Sequence, residues 1–306
     1  MPDVEQPLVS LVMPVRQPRR EWLRAAVESA LGQRGCAIEL VVIDNGNDVP
    51  VAEDLADVHD GRLRIVRTTP GGVSRARNAG LAAARGTHVR FLDCDDVFEP
   101  DSTALLLALA TDDATISYGA TAYCDADLRP YKTLVCDLQG VLGERALNEF
   151  TVTLPSLLFP RRVVELAGPW DEELVMCEDW DFVLRALEHA RVRGDTRVAS
   201  YYRRHATSAV GSTPIETSER SAARVVDKYV ARHPECADSA PVRRAHASRL
   251  TSAGARYLQQ HDRRRAVARY AAAVRIDPAH AVPAMARVVA AEVRERARRW
   301  LRRVTL

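Results

Sequence analysis

Three aspartates follow a short apolar segment of this chain, at the point where a buried strand would end. The apolar run closes at Leu92, and Asp93, Asp95 and Asp96 come directly after it. Asp93 and Asp95, one residue apart, can direct oxygens at one hard cation such as Mg²⁺ or Mn²⁺, which would in turn hold a diphosphate. The alternative is a loop of solvated acids that caps a helix beginning near Asp101. This segment alone supports both interpretations.

A second acidic turn and a helix start are expected at the same edge of a sheet. Residues 38–43 are predicted to form a buried strand that runs into Asp44, and a helical pattern begins after Gly72. Carboxyl ends of parallel strands meet at one sheet edge, where ligands bind, and the free N–H groups of a helix start favour phosphate. Arg75 and Arg77 oppose the dipole of that helix. Their charge is therefore balanced either by a bound anion or nearby carboxylates, or they are ordinary surface arginines paired with Asp or Glu.

A third group of acids opens a helix in the second half of the chain. Glu178, Asp179 and Asp181 lie in its first turn, where acids are already favoured by the helix dipole. Trp170 and Trp180 lie near this helix start, where each could either contact a ligand or pack in the core.

The order of apolar segments predicts an α/β domain followed by a helical region. Apolar runs alternate with helical patterns up to about residue 110, which predicts βαβ units and a mainly parallel central sheet flanked by helices. Further strands are expected at 115–118, 131–136 and 198–202, and a short helix at 50–58. After residue 214 the pattern is entirely helical. The helices are predicted at 217–233, 241–260, 263–275 and 280–304, with breaks at Pro234, Asp262, Pro278 and Pro283.

The two regions carry opposite charge, which supports two domains, 1–214 and 215–306. The net charge of +2 is the sum of about −10 up to residue 216 and +12 after it. Residues 253–278 have the small-residue spacing of a tetratricopeptide-like helical hairpin. The basic last helix can lie on an anionic membrane surface or pack on the preceding helices, with self-association a further option. Nucleic-acid binding is not expected, because no aromatic platform or known module accompanies the charge.

Cysteine usage and the N-terminus indicate a reducing compartment. The six cysteines include no C-x-x-C pair, which argues against a zinc site or a disulfide framework. Residues 1–5 lack the basic start and apolar core of a secretion signal, and no apolar run is long enough to cross a bilayer. We expect a cytoplasmic protein, either free or peripheral at the inner face of a membrane.

Five segments together resemble the family 2 glycosyltransferases of the GT-A fold, over roughly residues 8–210. The segments occur in the order typical of the family. They are VSLVMP at 9–14, LVVIDNG at 40–46, GVSRARNAG at 72–80, FLDCDD at 91–96 and EDW at 178–180.

The resemblance implies a role for each matching residue. The nucleotide-sugar site would comprise Pro14, Asp44, Asn45, Arg75, Arg77, Asn78 and Asp93. The metal, Mn²⁺ or Mg²⁺, would be held by Asp93 and Asp95, with Asp96 and His205 as further ligands. Asp179 matches the catalytic base, with Glu178 beside it, and Trp170 and Trp180 would contact the acceptor. Many members have a second acid where this chain has Asn45, so uridine, thymidine and guanosine sugars all remain open.

The implied function is metal-dependent, inverting transfer of a hexosyl or deoxyhexosyl group. The donor would be a nucleoside-diphosphate sugar, and the acceptor a hydroxyl of a glycan, a lipid-linked sugar or a small molecule. Nucleotidyl transfer is disfavoured, because the first strand runs into Pro14 and Pro18 rather than a glycine-rich loop with a lysine. A non-catalytic scaffold or sugar-nucleotide-binding protein with a degenerate transferase domain is the remaining alternative, and the retained Asp93, Asp95 and Asp179 count against it.

Overall fold

The structure is a computed structural model, and it describes residues 9–205, 208 and 212–290. The chain divides into two compact units, residues 1–212 and 213–306. This division lies two residues before the boundary expected from the sequence. No helix in the described ranges combines the length and apolar character needed to cross a membrane.

The described part of the first unit contains one sheet of nine strands. They are β1 (Val9–Val15), β2 (Ile38–Asn45), β3 (Leu63–Thr68), β4 (His88–Phe91), β5 (Val97–Phe98), β6 (Thr115–Cys124), β7 (Pro130–Leu134), β8 (Leu157–Pro160) and β9 (Arg191–Arg203). The strand order is β3-β2-β1-β4-β8-β6-β9-β5, and β7 pairs with β6.

The sheet has a parallel core and a mixed outer half. Strand β1 runs parallel to β2 and β4, and β2 runs parallel to β3. Strand β8 is antiparallel to both of its neighbours, β4 and β6, while β6 and β9 are parallel. The predicted mainly parallel core is confirmed. The outer half differs because β8 reverses the strand direction between β4 and β6.

Helices cover both faces of the parallel core. They are α1 (Arg20–Leu31), α2 (Val51–Asp54), α3 (Val73–Ala83), α4 (Ser102–Leu109), α5 (Arg161–Ala167) and α6 (Glu178–Leu187), with 3₁₀ turns at Gly143–Leu147 and Leu154–Ser156. Every residue of β1 and β2 is buried, as expected for strands covered on two sides. Helix α3 packs closely on β1 and β2, since a Cβ at Gly80 would lie 2.3 Å from Val12 Cγ1.

Several predicted elements of this unit differ in extent from the observed ones. The helix expected at 50–58 is only the four-residue α2. A helix of nine residues would gain few hydrogen bonds after its first turn, so it offsets the cost of helix nucleation poorly. The strands expected at 115–118 and 198–202 extend to Cys124 and back to Arg191, since they pair with each other along almost their whole length. Gly194 permits this pairing, because a Cβ there would lie 2.1 Å from the Tyr118 ring.

The second unit is helical throughout its described secondary structure. It contains α7 (Ile215–Arg232), a 3₁₀ turn at Pro234–Cys236, α8 (Ala240–Gln259), α9 (Arg263–Ile276) and a further helix at 278–290. Helices α8 and α9 pack together as a hairpin, with Gly254 so close to Tyr270 that a Cβ would lie 2.8 Å from the ring.

Two predictions about the C-terminal helices have different outcomes. The break predicted at Pro283 is wrong, because this proline lies within the helix at 278–290. A proline removes one backbone hydrogen bond and can kink a helix without ending it. Residues 291–304 of the predicted basic amphipathic helix lie outside the described residues.

Candidate active site

A cavity of about 340 Å³ opens at the carboxyl ends of the parallel strands. Six of its lining residues are among those singled out from the sequence. They are Pro14, Asn45, Arg77, Asp93, Asp95 and Glu178. Strands β1 and β2, the turn after β4, helix α3 and helix α6 supply these side chains, so segments distant in sequence converge at the edge where open α/β sheets bind ligands.

Arg77 joins two of the carboxylates at the centre of this cavity. It is 3% exposed and donates from Nη2 to Asp93 Oδ1 at 2.9 Å and from Nη1 to Glu178 Oε1 at 2.8 Å. The guanidinium also lies 4.6 Å from the centre of the Trp170 ring. Burial opposes its charge, but Asp93, Glu178 and Asp179 outweigh burial and raise the pKa of Arg77. The sequence left two interpretations of Arg77 open, and the structure supports the one in which its charge is balanced by nearby carboxylates of the protein itself.

The carboxylates around Arg77 outnumber it. Burial and the neighbouring Asp179 raise the pKa of Glu178, and the contact with Arg77 only partly opposes them. A single guanidinium is shared among three acids, so the cluster retains an excess of negative charge. A bound cation or an accepted proton would reduce that excess.

Asp95 and Asp96 are placed differently although they are adjacent. Asp95 Oδ2 lies 2.8 Å from His205 Nε2, and burial followed by repulsion from Asp93 raises the pKa of Asp95 while His205 opposes the shift. Asp96 is 1% exposed, and its Oδ1 accepts the backbone N–H of Arg203 at 2.8 Å. Burial and Asp95 raise the pKa of Asp96 well above its ordinary value. Asp96 thus anchors the aspartate turn to β9.

The residues at this edge fit an open divalent-cation site with two protein ligands. Within the described ranges, no three His, Cys, Asp or Glu side chains form a group that could hold a metal. The predicted four-residue set is therefore not assembled, because Arg77 engages Asp93 and the backbone of β9 engages Asp96. Asp95 and His205 are close enough to share one ion. Mg²⁺ is commonly held by one or two carboxylates plus phosphate and water.

Trp22 supports His205 from helix α1, a contact that the sequence did not indicate. The two rings lie 4.6 Å apart at an angle of 51°. The guanidinium groups of Arg19 and Arg203 lie 4.4 and 4.9 Å from the centre of the same indole. A tryptophan at helical spacing is usually assigned to the core, and no local signal distinguishes this one.

Asp44 lies behind the wall of the cavity rather than on its surface. It is 1% exposed, and its carboxylate accepts the Asn47 N–H at 3.0 Å, the Asn47 amide at 2.7 Å and the Val51 N–H at 3.2 Å. Burial opposes ionisation, but these hydrogen bonds outweigh it and lower the pKa of Asp44. The predicted contact of Asp44 with the nucleotide is therefore not available in this structure, and the adjacent Asn45 lines the cavity instead.

Three further predicted binding residues do not line the cavity. Arg75 is exposed on α3. Asn78 donates to Glu172 Oε1 at 2.9 Å and accepts the Trp170 N–H at 2.8 Å, so it fixes the loop before α6. Trp170 is 1% exposed and stacks on Phe182 with ring centres 4.1 Å apart, so its predicted role as an acceptor platform is wrong.

The Glu178–Asp179 pair begins α6 beside the cavity. Asp179 is exposed, and its Oδ1 accepts the N–H of Trp180 at 2.7 Å, while Trp180 itself is half-buried. The preceding residue, Cys177, has a left-handed φ of 62°, which turns the chain sharply into the helix. Burial, together with Asp179 and Glu178, raises the pKa of the Cys177 thiol to about 12, so the thiol stays protonated beside the two acids.

Comparison with known proteins matches the first part of the chain to one family. The model of glycosyl transferase family 2 matches residues 10–158. Residues 10–158 of the chain therefore belong to glycosyl transferase family 2. Among its relatives in Bacillus subtilis, the uncharacterized glycosyltransferase EpsJ is 29% identical over 60% of this chain. The putative glycosyltransferase EpsH is 28% identical over 68%. The matches span 57% and 64% of those two proteins, so this chain corresponds to only part of each.

A solved structure supports the fold of this chain. The crystal structure of S. aureus TarS residues 1–349 in complex with UDP-GlcNAc aligns with a TM-score of 0.60 at 16% identity. The alignment covers 80% of this chain and 72% of that one. The expected GT-A fold is thereby confirmed.

Proposed function

We propose that this family 2 protein is a metal-dependent, inverting glycosyltransferase that moves a sugar from a nucleoside-diphosphate sugar to an acceptor hydroxyl. The observation that carries the proposal is the arrangement at the sheet edge. Arg77 bridges Asp93 and Glu178 in a cavity that also contains Asp95. The donor diphosphate would lie beside Asp95, and the sugar would extend towards the start of α6.

Asp95 and His205 are the residues that would hold Mn²⁺ or Mg²⁺. Bound there, the cation would offset negative charge on the leaving nucleoside diphosphate. The chain itself contributes orientation, because Trp22 packs on His205 and Arg203 donates from Nε to the Asp95 carbonyl at 2.7 Å. Both contacts fix the two ligands before any substrate arrives.

Asp179 is the better placed of the two acids at the start of α6 to act as the general base. Glu178 is engaged by Arg77, whereas Asp179 is exposed and has one carboxylate oxygen without a partner among the described residues. That oxygen would accept the proton of the acceptor hydroxyl as it attacks the anomeric carbon from the side opposite the diphosphate. Arg77 holds Glu178 and Asp93 in place while this occurs.

Asn45 does not determine which nucleotide base is bound, because its side chain can accept or donate a hydrogen bond but carries no charge. Asn45 donates to the Gly71 carbonyl at 2.8 Å, and its Oδ1 has no partner among the described residues. TarS was crystallised with UDP-GlcNAc, so the first donors to test are UDP sugars, followed by thymidine and guanosine diphosphate sugars.

The test separates nucleotide binding from transfer. Wild-type protein should bind the correct nucleotide sugar only with Mn²⁺ or Mg²⁺, as measured by thermal shift and calorimetry. Asp179→Asn should keep that binding and lose about 10²- to 10⁴-fold in transfer rate, the usual contribution of a general base. Near wild-type transfer by Asp179→Asn would refute the assigned base. Absence of any metal-dependent nucleotide binding would instead favour the scaffold alternative.

We assign catalysis to residues 1–214 and a separate acceptor- or membrane-directed role to the basic residues 215–306. Basic segments bind anionic lipid surfaces by an electrostatic attraction that salt weakens. The full chain should therefore sediment with phosphatidylglycerol vesicles, and not with phosphatidylcholine vesicles, at low salt. Equal sedimentation with both vesicle types would refute the membrane-directed role.

A further inference from the structure

A row of three side chains crosses the sheet from its outer hairpin to the cavity. In the strand register Lys132 of β7 lies opposite Tyr123 of β6, and Tyr123 lies opposite Tyr202 of β9. Directly opposite residues project from the same face of a sheet. The tyrosine rings have centres 5.2 Å apart at 58°, and Lys132 Nζ lies 5.8 Å from the centre of the Tyr123 ring.

The row reaches the proposed site at its inner end. Tyr202 lines the cavity together with Asp95 and Glu178. Burial raises the pKa of the Tyr123 hydroxyl, Arg204 opposes that shift, and Asp96 and Asp179 add to it, so Tyr123 lies within electrostatic reach of the proposed base.

The backbone at this position is irregular in a way that suits a binding site. The pairing of β6 with β7 shifts register between Tyr123 and Cys124. Such bulges re-aim side chains and are common next to active sites. The outer end of the row is open to solvent, since the first four residues of β7 are exposed and Tyr131 is 61% exposed.

Two cations flank the tyrosines without a carboxylate partner in the described part of the chain. Lys132 contacts the Tyr123 ring, and Arg204 follows β9 and is exposed. Neither forms an ion pair with an acid among the described residues, although Arg129 on the same hairpin pairs with Asp127 at 3.3 Å. A tyrosine face with adjacent unpaired cations suits a ring that carries negative charge.

We infer that the Lys132–Tyr123–Tyr202 row is the acceptor subsite and that the acceptor is a sugar bearing an anionic group, a phosphate or a carboxylate. The aliphatic face of the sugar packs on the tyrosine rings, which are rigid and amphipathic, and Lys132 and Arg204 bind the anionic group. The accepting hydroxyl then lies towards Asp179. The inference rests on the proposed transferase function, because it places the acceptor by that base.

The experiment measures binding of three small sugars by saturation-transfer NMR. The full chain is first loaded with Mg²⁺ and the nucleoside diphosphate identified by thermal shift, so that the donor side is occupied. The probes are glucose 1-phosphate, glucuronate and uncharged methyl glucoside. The two anionic probes should bind roughly fivefold more tightly than the glucoside, the scale of two partly exposed ion pairs. The more tightly bound of the two identifies phosphate or carboxylate.

Matched variants test the two parts of the subsite. The Lys132→Gln and Arg204→Gln double variant should lose the preference for anions and still bind methyl glucoside. Tyr123→Ala should weaken all three probes, and Tyr123→Phe should restore them. Arg129→Gln, which removes a paired charge from the same hairpin, should behave as wild type.

Equal affinity for the three probes, no binding of any probe, or an unchanged preference in the double variant would overturn the inference. Failure of the proposed function is seen separately, as absence of nucleotide binding before any probe is added. Retained nucleotide binding without anion preference would defeat only the acceptor subsite.

Discussion

Replacing Arg77 with methionine tests whether one buried guanidinium holds the proposed site together. Methionine keeps an unbranched side chain that can pack on Trp170, but it removes the guanidinium together with its charge and its contact with the Trp170 ring. Asp93 and Glu178 would then lie beside each other with no cation. We expect both the stability of the first unit and the binding of donor to fall.

The size of the loss follows from how far each carboxylate is buried. The Glu178 side chain is 13% exposed and the Asp93 side chain is 36% exposed. Removing one partner of a buried ion pair costs about 3–5 kcal/mol, whereas exposed pairs contribute at most about 1 kcal/mol. The Glu178 contact is therefore the larger part, and we expect a loss of about 3 kcal/mol in the free energy of unfolding.

Urea unfolding followed by tryptophan fluorescence measures this loss. Three of the four tryptophans lie before residue 212, so the signal reports mainly on the first unit. Arg75→Met is the matched control, because Arg75 is exposed on the same helix, and its effect should stay within about 0.5 kcal/mol. Adding Glu178→Gln to Arg77→Met should recover about 1–2 kcal/mol, since the uncompensated buried charge is then removed.

The loss should depend on pH with a definite sign. The pKa of Glu178 is already raised above its ordinary value of 4.5, and removal of Arg77 raises it further. A carboxyl with a raised folded pKa favours folding at low pH and loses that contribution as the pH rises through the folded pKa. The destabilisation by Arg77→Met should thus be smaller at pH 4.5 than at pH 7.5. An effect equal to that of Arg75→Met, or independent of pH, would refute the bridging role.

Three further substitutions give separate predictions. Trp22→Ala should weaken Mn²⁺-dependent nucleotide binding about tenfold, as measured by calorimetry, because the indole no longer supports His205. Trp22→Phe should restore most of that affinity, since a contact between aromatic rings contributes about 0.5–1.5 kcal/mol. Asp44→Asn should lower the free energy of unfolding by about 1–3 kcal/mol above about pH 4. Because the pKa of Asp44 is lowered in the folded state, this loss should disappear as the pH falls through that pKa. A loss that does not change with pH would contradict the hydrogen-bond assignment. Gly80→Ala should lower the urea midpoint by an equivalent of about 1–3 kcal/mol, since the new Cβ meets Val12, and an unchanged midpoint would refute the close packing.

The sequence alone determined the parallel half of the sheet and the chemical character of its edge. Segments 9–15 and 38–43 are apolar apart from Ser10 and Glu39, and only strands covered on both faces bury every residue. Acids placed directly after such runs must emerge at the strand ends, so the position of Asp93 and Asp95 at the sheet edge follows from the sequence. Both inferences depend on local patterns, which need no knowledge of distant contacts.

Tertiary structure alone decided what each polar residue contacts. Arg77 and Glu178 are 101 residues apart in sequence, and only the packing of α3 and α6 on the same sheet edge brings them together. Trp170 is buried against Phe182, and hydrogen bonds from Asn47 and Val51 turn Asp44 inward, although both residues resemble exposed binding residues in sequence. Partner choice depends on burial and on distance in space. These are properties of the assembled sheet, and no short segment encodes them.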